Sequence, residues 1–255
     1  MIRREAEYFF GALRFFTRLP VPAWVGHSDE AMRAAARWLP AVGLVVGGLA
    51  ALVAWGAARL WAPPVAVLLA MATALYVTGA FHEDGLSDTA DGLGGGWDKA
   101  RILAIMKDSR VGSYGVVALW LALTGKFVLL GQLPIEHLPW ALLAAHAFSR
   151  FCPLLLMAGM DYARDDATSK ARPLAARLSI AALGFAMLWA ILPMLLLPWP
   201  NAFLAALLAL LATFWLAAKC RRWLGGYTGD CLGAVQQISE LTVYLGLSAA
   251  VRLIP

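Results

Sequence analysis

Val65-Ala66-Val67-Leu68-Leu69-Ala70-Met71-Ala72-Thr73-Ala74-Leu75-Tyr76-Val77-Thr78-Gly79-Ala80-Phe81 runs without a break into His82-Glu83-Asp84-Gly85-Leu86-Ser87-Asp88-Thr89-Ala90-Asp91-Gly92. The first stretch carries no charge and approaches the ~20 apolar residues that a bilayer helix needs. The second places Glu83, Asp84, Asp88 and Asp91 directly after it. Together they read as a membrane helix that delivers an acidic segment to the water interface.

The rest of the chain repeats the apolar half of this pattern. Val116–Leu133 and Leu178–Leu197 are runs of comparable length, and further candidates are Leu39–Leu60, Leu138–Met160, Ala202–Ala218 and Leu232–Ile254. Of the 255 residues, 61% are hydrophobic and 15% charged, with a mean hydropathy of +0.70. A soluble domain carries roughly a quarter charged residues. The fold class expected is therefore all-α: a polytopic integral membrane helical bundle with about seven transmembrane helices. Residues 1–255 form a single membrane-embedded domain, with 1–38 an interfacial N-terminal segment and 82–115 an acidic catalytic loop.

The basic residues set the topology. Of the 21 Lys and Arg, nearly all fall in the N-terminal segment or in the connections after the second, fourth and sixth candidate spans. Only Arg59 and Arg252 lie at the opposite ends, while Lys126 and Arg150 fall inside spans. The positive-inside rule places the N-terminus and the long loops in the cytoplasm, and hence the chain in a cytoplasmic membrane. The net charge of +5 is explained by this distribution. No segment combines dense Lys/Arg with exposed aromatics, so nucleic acid is not an expected partner. The first segment is not a secretory signal, because Arg14 and Arg18 interrupt it and no small-residue cleavage site follows. Phe9, Leu13 and Phe16 recur at helical spacing, which predicts an amphipathic helix, turned by Pro20 and Pro22. Gly43 and Gly47 predict close helix packing. The 3 cysteines, Cys152, Cys220 and Cys231, form no CxxC pair and read as packing thiols.

Chemistry concentrates after the second span. On a continued helix Asp84, Asp88 and Asp91 lie at roughly 0°, 40° and −20° around the axis. Carboxylates so placed repel one another unless cations or protons intervene. Hard divalent ions meet that need, and Mg²⁺ is the usual one where phosphates are handled. Glu83, Asp84, Asp88 and Asp91 are the candidate metal ligands; His82 or one of the carboxylates is the candidate proton acceptor. Asp98 caps a short helix from Lys99 or joins the metal ligands. Lys107 and Arg110 suit phosphate oxygens, with Asp108 a further candidate for the metal shell. Asp230 precedes the last span as an N-cap or a site residue. Glu240 and Arg150, inside spans, either pair with each other or line a substrate cavity. The loop Asp161–Arg177 reads as solvated, with substrate contact second.

At these residues the sequence resembles the cobalamin synthase family. The match rests on Phe16-Thr17-Arg18-Leu19-Pro20-Val21-Pro22, on Phe81 to Gly92, on Met106-Lys107-Asp108-Ser109-Arg110-Val111-Gly112, and on Thr228 to Ala234 with Glu240. The resemblance implies joining of adenosylcobinamide-GDP to α-ribazole, or its 5′-phosphate, with release of GMP and a requirement for Mg²⁺. It implies catalytic roles for His82, Asp84, Asp88, Asp91 and Asp108. Substrate or phosphate contacts are implied for Arg18, Lys107, Ser109, Arg110, Arg150, Asp230 and Glu240. The implied setting is a bacterial inner membrane, with the lipid bilayer as partner and a homo-oligomer as an open alternative. Asp88-Thr89-Ala90-Asp91-Gly92 also resembles the DxxDG element of CDP-alcohol phosphotransferases, an alternative class with related chemistry. A secondary transporter is a second alternative, disfavoured by the gathering of carboxylates at one face and by the lack of a convincing inverted repeat. The topology has its own check: cysteine labelling at Ser28, Ser169 and Leu224 is expected to report cytoplasm, and at Gln132 and Asn201 the opposite side. A reversed signal at any of these positions breaks the alternating order of spans.

Overall fold

The computed structural model describes residues 2–26, 28–164 and 177–251; the remainder of the expected loop 161–177 and the chain ends lie outside them. The described residues are all-helical. In order they form α1 (Ile2–Phe16), α2 (Asp29–Ala35), a 3-10 turn (Ala36–Trp38), α3 (Leu39–Ala57), α4 (Pro63–Thr78), α5 (Phe81–Gly95) and α6 (Lys99–Ile105). There follow α7 (Ser113–Leu130), α8 (Leu138–Gly159), α9 (Ile180–Ile191) with a 3-10 extension (Leu192–Leu196), α10 (Trp199–Leu224) and α11 (Gly229–Val251).

Among the described residues four helices are long and apolar enough to cross a membrane: Ala31–Ala57, α7, α8 and α10. A fifth crossing arises if α4 and α5, bent by 86° at their junction, are taken together. This differs from the expected seven. The stretch at Leu178–Leu197 is realised as the shorter apolar helix Ile180–Leu196. In α11 the buried Gln236, Gln237, Ser239 and Glu240 interrupt the apolar run. Large apolar side chains are exposed along the long helices, among them Leu52, Trp120, Leu121, Phe203, Leu211 and Phe214, as lipid contact requires. Most exposed tryptophans lie at or near helix ends, Trp55, Trp61, Trp140 and Trp199 at one set and Trp24, Trp97 and Trp223 at the other, while Trp120 and Trp215 lie within α7 and α10. Such belts mark membrane interfaces.

α8 is the axis of the bundle. α3 packs antiparallel on it, and the GxxxG pair makes this possible: a Cβ at Gly43 would strike the His146 carbonyl, and one at Gly47 would lie 2.9 Å from Leu142 O. The N-terminal segment is helical, as its periodicity predicts, but its apolar face is turned into protein. Tyr8, Leu13 and Phe16 are buried, and Glu5 ties α1 to the 3-10 turn through Arg37 at 2.6 Å and Trp38 Nε1 at 3.3 Å.

The interior holds charge. Lys126 of α7 donates to Glu240 Oε1 of α11 at 2.9 Å and to Gln237 Oε1 at 2.7 Å. Gln236 Nε2 reaches Glu240 Oε2 at 2.8 Å and Ser149 Oγ of α8 at 2.9 Å. Arg150 donates to the His146 carbonyl at 2.9 Å and meets His146 Nδ1 at 3.1 Å. Of the two expectations for Arg150 and Glu240, direct pairing gives way to Lys126–Glu240, because Lys126 reaches across from a neighbouring helix while Arg150 folds back one turn along its own, and both residues line an internal cavity. Removing one member of an enclosed ion pair costs about 3–5 kcal/mol, whereas replacing both by apolar groups is far milder. Lys126→Met is therefore expected to lose about that much resistance to denaturing detergent, with Lys126→Met/Glu240→Met recovering at least half of it; equal losses in the single and double variants would mean that the pair carries no coupling.

Candidate functional site

The site is built on the bend between α4 and α5. Gly79 (φ 66°) and Ala80 (φ 55°) both adopt left-handed backbone, and Ala80 N–H closes onto Leu75 O at 3.0 Å. An alanine in this region costs roughly 1–2 kcal/mol, so the turn needs support. Arg18 supplies it: its N–H donates to Val77 O at 2.7 Å, and its guanidinium lies where a Gly79 side chain would stand. The Arg18 expected to contact substrate therefore braces the hinge in this structure.

After the bend, α5 lies against the start of α11. A Cβ on Gly85 would come within 2.8 Å of Asp230 O, and one on Gly233 within 3.2 Å of His82 O. Only glycine allows two backbones this close. The crossing brings Asp84 and Asp88 alongside Asp230, from a sequence distance far beyond any local motif. Burial, followed by the neighbouring charges of Asp84 and Asp230, pushes the Asp88 carboxyl up to about 7, with Arg164 acting in the opposite sense. Asp230 is likewise raised, chiefly by burial, against the pull of Arg164. Its Oδ2 accepts from Arg164 Nη2 at 2.7 Å and from Thr228 Oγ1 at 3.3 Å.

The other carboxylates of the stretch do different work. Asp91 accepts from Gly112 N–H at 2.7 Å and Gly115 N–H at 2.9 Å, so it satisfies free amides at the start of α7 from outside that helix. Glu83, expected among the metal ligands, turns inward and lines a small internal cavity with Lys126, His146, Arg150, Gln237 and Glu240. His82 lines it too and is 4% exposed, stacked on Phe16 and edge-on to Phe81. An expected proton acceptor is thus enclosed rather than open to a substrate hydroxyl. Arg150 and Glu240 also belong to this interior.

Asp98 Oδ1 accepts from Arg101 N–H at 2.9 Å and caps α6, the first of its two expected roles. Lys107 and Ser109 are exposed in the turn that follows. Arg110 clasps Asp108, with Nη2 to Oδ2 at 2.6 Å and Nε to Oδ1 at 3.0 Å, and this holds the Asp108 carboxyl down to about 2. Asp108, Arg110, Arg101 and Tyr114 line an open groove with Asp91. The sequence reading missed Lys126 and His146, and it left Arg164 to a solvated loop. An ionisable residue inside a span was the available signal for Lys126; Arg164 gave none, since its partner lies 66 positions away.

The fold and these residues define a helical membrane protein with a carboxylate-rich site beside its crossing helices. Residues 8–248 match the family described as cobalamin-5-phosphate synthase. The chain belongs to that family. It is 51% identical to an adenosylcobinamide-GDP ribazoletransferase of Leptothrix cholodnii, covering 97% of each chain. Similar proteins of that name occur in Shewanella frigidimarina, at 44% identity over 96% of this chain and 95% of the relative, and in Vibrio parahaemolyticus, at 42% over 97% and 94%. No solved structure matches it.

The carboxylates are separable by experiment. Asp91→Ala strips two hydrogen bonds to an ionised acceptor from the start of α7 and is expected to cost about 2–4 kcal/mol of stability. Asp88→Asn relieves like-charge repulsion and is expected to leave the thermal midpoint unchanged or higher. A drop in midpoint for Asp88→Asn as large as that for Asp91→Ala would contradict this division.

Proposed function

We propose that this protein transfers the phospho-cobinamide group of adenosylcobinamide-GDP to α-ribazole, or to its 5′-phosphate, releasing GMP. Family membership over nearly the whole chain supports the reading, and the observation that carries it into chemistry is the meeting of Asp84 and Asp88 with Asp230 across the Gly85–Gly233 crossing. A ribose hydroxyl oxygen forms a bond to the phosphorus that bears the corrinoid side chain. The bond from that phosphorus to the bridging oxygen breaks, GMP carries away the electron pair, and the hydroxyl proton passes to a carboxylate of the cluster, since His82 is enclosed.

Mg²⁺ is the proposed cofactor. Among the described residues no three His, Cys, Asp or Glu side chains form a ready-made metal cage. Mg²⁺ is commonly held by one or two carboxylates together with water and substrate phosphate. Asp84, Asp88 and Asp230 offer hard oxygen donors with surplus negative charge, and they are the residues that would hold it; Glu83, turned into the internal cavity, and Asp91, held by Gly112 and Gly115, are not. Bound there, the ion supplies positive charge opposite the phosphate oxygens. The groove with Arg110 and Lys107 nearby is the proposed approach for the nucleotide. The proposed setting is a bacterial inner membrane, crossed about seven times if α4, the Ile180–Leu196 segment and α11 span alongside the longer helices, with the N-terminus and the acidic site cytoplasmic.

Purified protein in detergent, given adenosylcobinamide-GDP, α-ribazole and Mg²⁺, is expected to form GMP and the cobalamin product in equal amounts. Removal of metal by EDTA is expected to stop the reaction and added Mg²⁺ to restore it. Undiminished turnover after verified metal removal would end the Mg²⁺ proposal, and GMP release that ignores α-ribazole would replace transfer by hydrolysis.

A further inference from the structure

Arg164 is the one cation among the described residues that directly pairs with a carboxylate of the α5–α11 site. Its side chain is 12% exposed and Asp230's 21%, so the pair is shielded rather than solvated. It is also rigidly presented. Ala163 N–H donates to Tyr227 O at 2.8 Å and Tyr227 N–H to Asp161 O at 3.0 Å, which clips residues 161–163 to the segment leading into α11. The Tyr162 and Tyr227 rings pack edge to face on the same clip, and Gly226 lies against the Asp161 carbonyl with no room for a side chain.

The guanidinium is nevertheless half used. Nη2 donates to Asp230 Oδ2, while Nε is enclosed with no hydrogen-bond partner. Nε and Nη2 form one edge of the planar fork, the edge that receives two oxygens of a carboxylate or phosphate side by side. Asp230 fills half of that edge. Arg110, by contrast, gives both Nε and Nη2 to Asp108 and has an 87% exposed side chain. A buried donor left open is costly, and a ligand with a second oxygen removes that cost.

We propose that Arg164 is the phosphate-binding residue of the acidic site, its Nε–Nη2 edge taking two oxygens of the substrate pyrophosphate, with Asp230 as the partner that occupies half of that edge beforehand. The inference rests on the transfer reaction proposed above and names the residue that makes an acidic site attractive to an anion. Asp84, Asp88 and Asp230 repel an incoming pyrophosphate, and Arg164 is the fixed positive charge placed among them.

The test uses inorganic pyrophosphate and GMP as probes, titrated calorimetrically into the detergent-purified full chain with Mg²⁺ present, for wild type, Arg164→Gln and Arg164→Lys. Both variants are expected to bind both probes roughly 10- to 100-fold more weakly, the scale of lost charge-assisted hydrogen bonds. KM for adenosylcobinamide-GDP is expected to rise with them, and KM for α-ribazole to stay put. Arg164→Lys keeps the charge and serves as the folded control should Arg164→Gln be unstable. Wild-type probe affinity in Arg164→Lys would overturn the side-on geometry. Unchanged affinity in both variants, with a lowered melting midpoint, would reduce Arg164 to a counterion of Asp230. Wild-type protein that binds pyrophosphate in an Arg164-dependent way but makes no cobalamin would defeat the transfer reaction and leave the anion site standing.

Discussion

Lys126 and Glu240 meet at 2.9 Å in the interior of the bundle, each about 5% exposed, and much of the architecture follows from keeping that pair satisfied. Neither ion can remain alone in a medium that does not solvate it. The Lys126 ammonium also needs Gln237, Glu240 needs Gln236, and Gln236 needs Ser149. α7, α8 and α11 are thereby fixed in register, because sliding α7 or α11 by one turn would part the ion pair and sliding α8 would take Ser149 from Gln236. Helix association in lipid gains little from apolar contact, so packing and polar bonds of this kind set the arrangement.

α5 lies beside this network and divides its residues between two duties. His82 and Glu83 face the shared cavity. Asp84 and Asp88 face Asp230, and Asp91 holds the start of α7. Neighbouring carboxylates in sequence thus end in three environments. The acidic site is positioned by the same short helix that closes the interior, so the geometry of the chemistry and the satisfaction of the buried charges are set together.

Much of this was legible in the sequence, for identifiable reasons. Apolar length and the alternation of basic residues are properties of single segments, so the helical membrane class, the Gly43–Gly47 contact and the Asp98 cap could be read directly. The acidic face of residues 84–91 follows from helical geometry. What the sequence did not reveal depends on contacts between distant segments. Asp91 shares the face of Asp84 on an ideal helix, yet α7 claims it through Gly112 and Gly115. For Glu240, pairing with Arg150 is one of the two readings its place inside a span allows; the packing of α7 gives it Lys126 instead. Arg164 looked like any loop arginine until Tyr227 clipped its backbone beside Asp230. The count of about seven crossings goes beyond the four or five that length and composition pick out among the described residues, and α11 shows why: it has the length of a span but spends its middle on glutamines and a glutamate.

The contact between Gly85 and Gly233 joins the first third of the chain to its last helix. During synthesis α4 and α5 emerge long before α11, and until α11 enters the bilayer Asp84 and Asp88 have no Asp230 beside them, nor is there a Tyr227 to hold Arg164. A nascent chain can therefore carry every carboxylate of the α5 stretch without possessing a site. The meeting of Asp84 and Asp88 with Asp230 therefore exists only once α11 has docked on α5, and a loss of that docking would disperse the carboxylates without altering any of them.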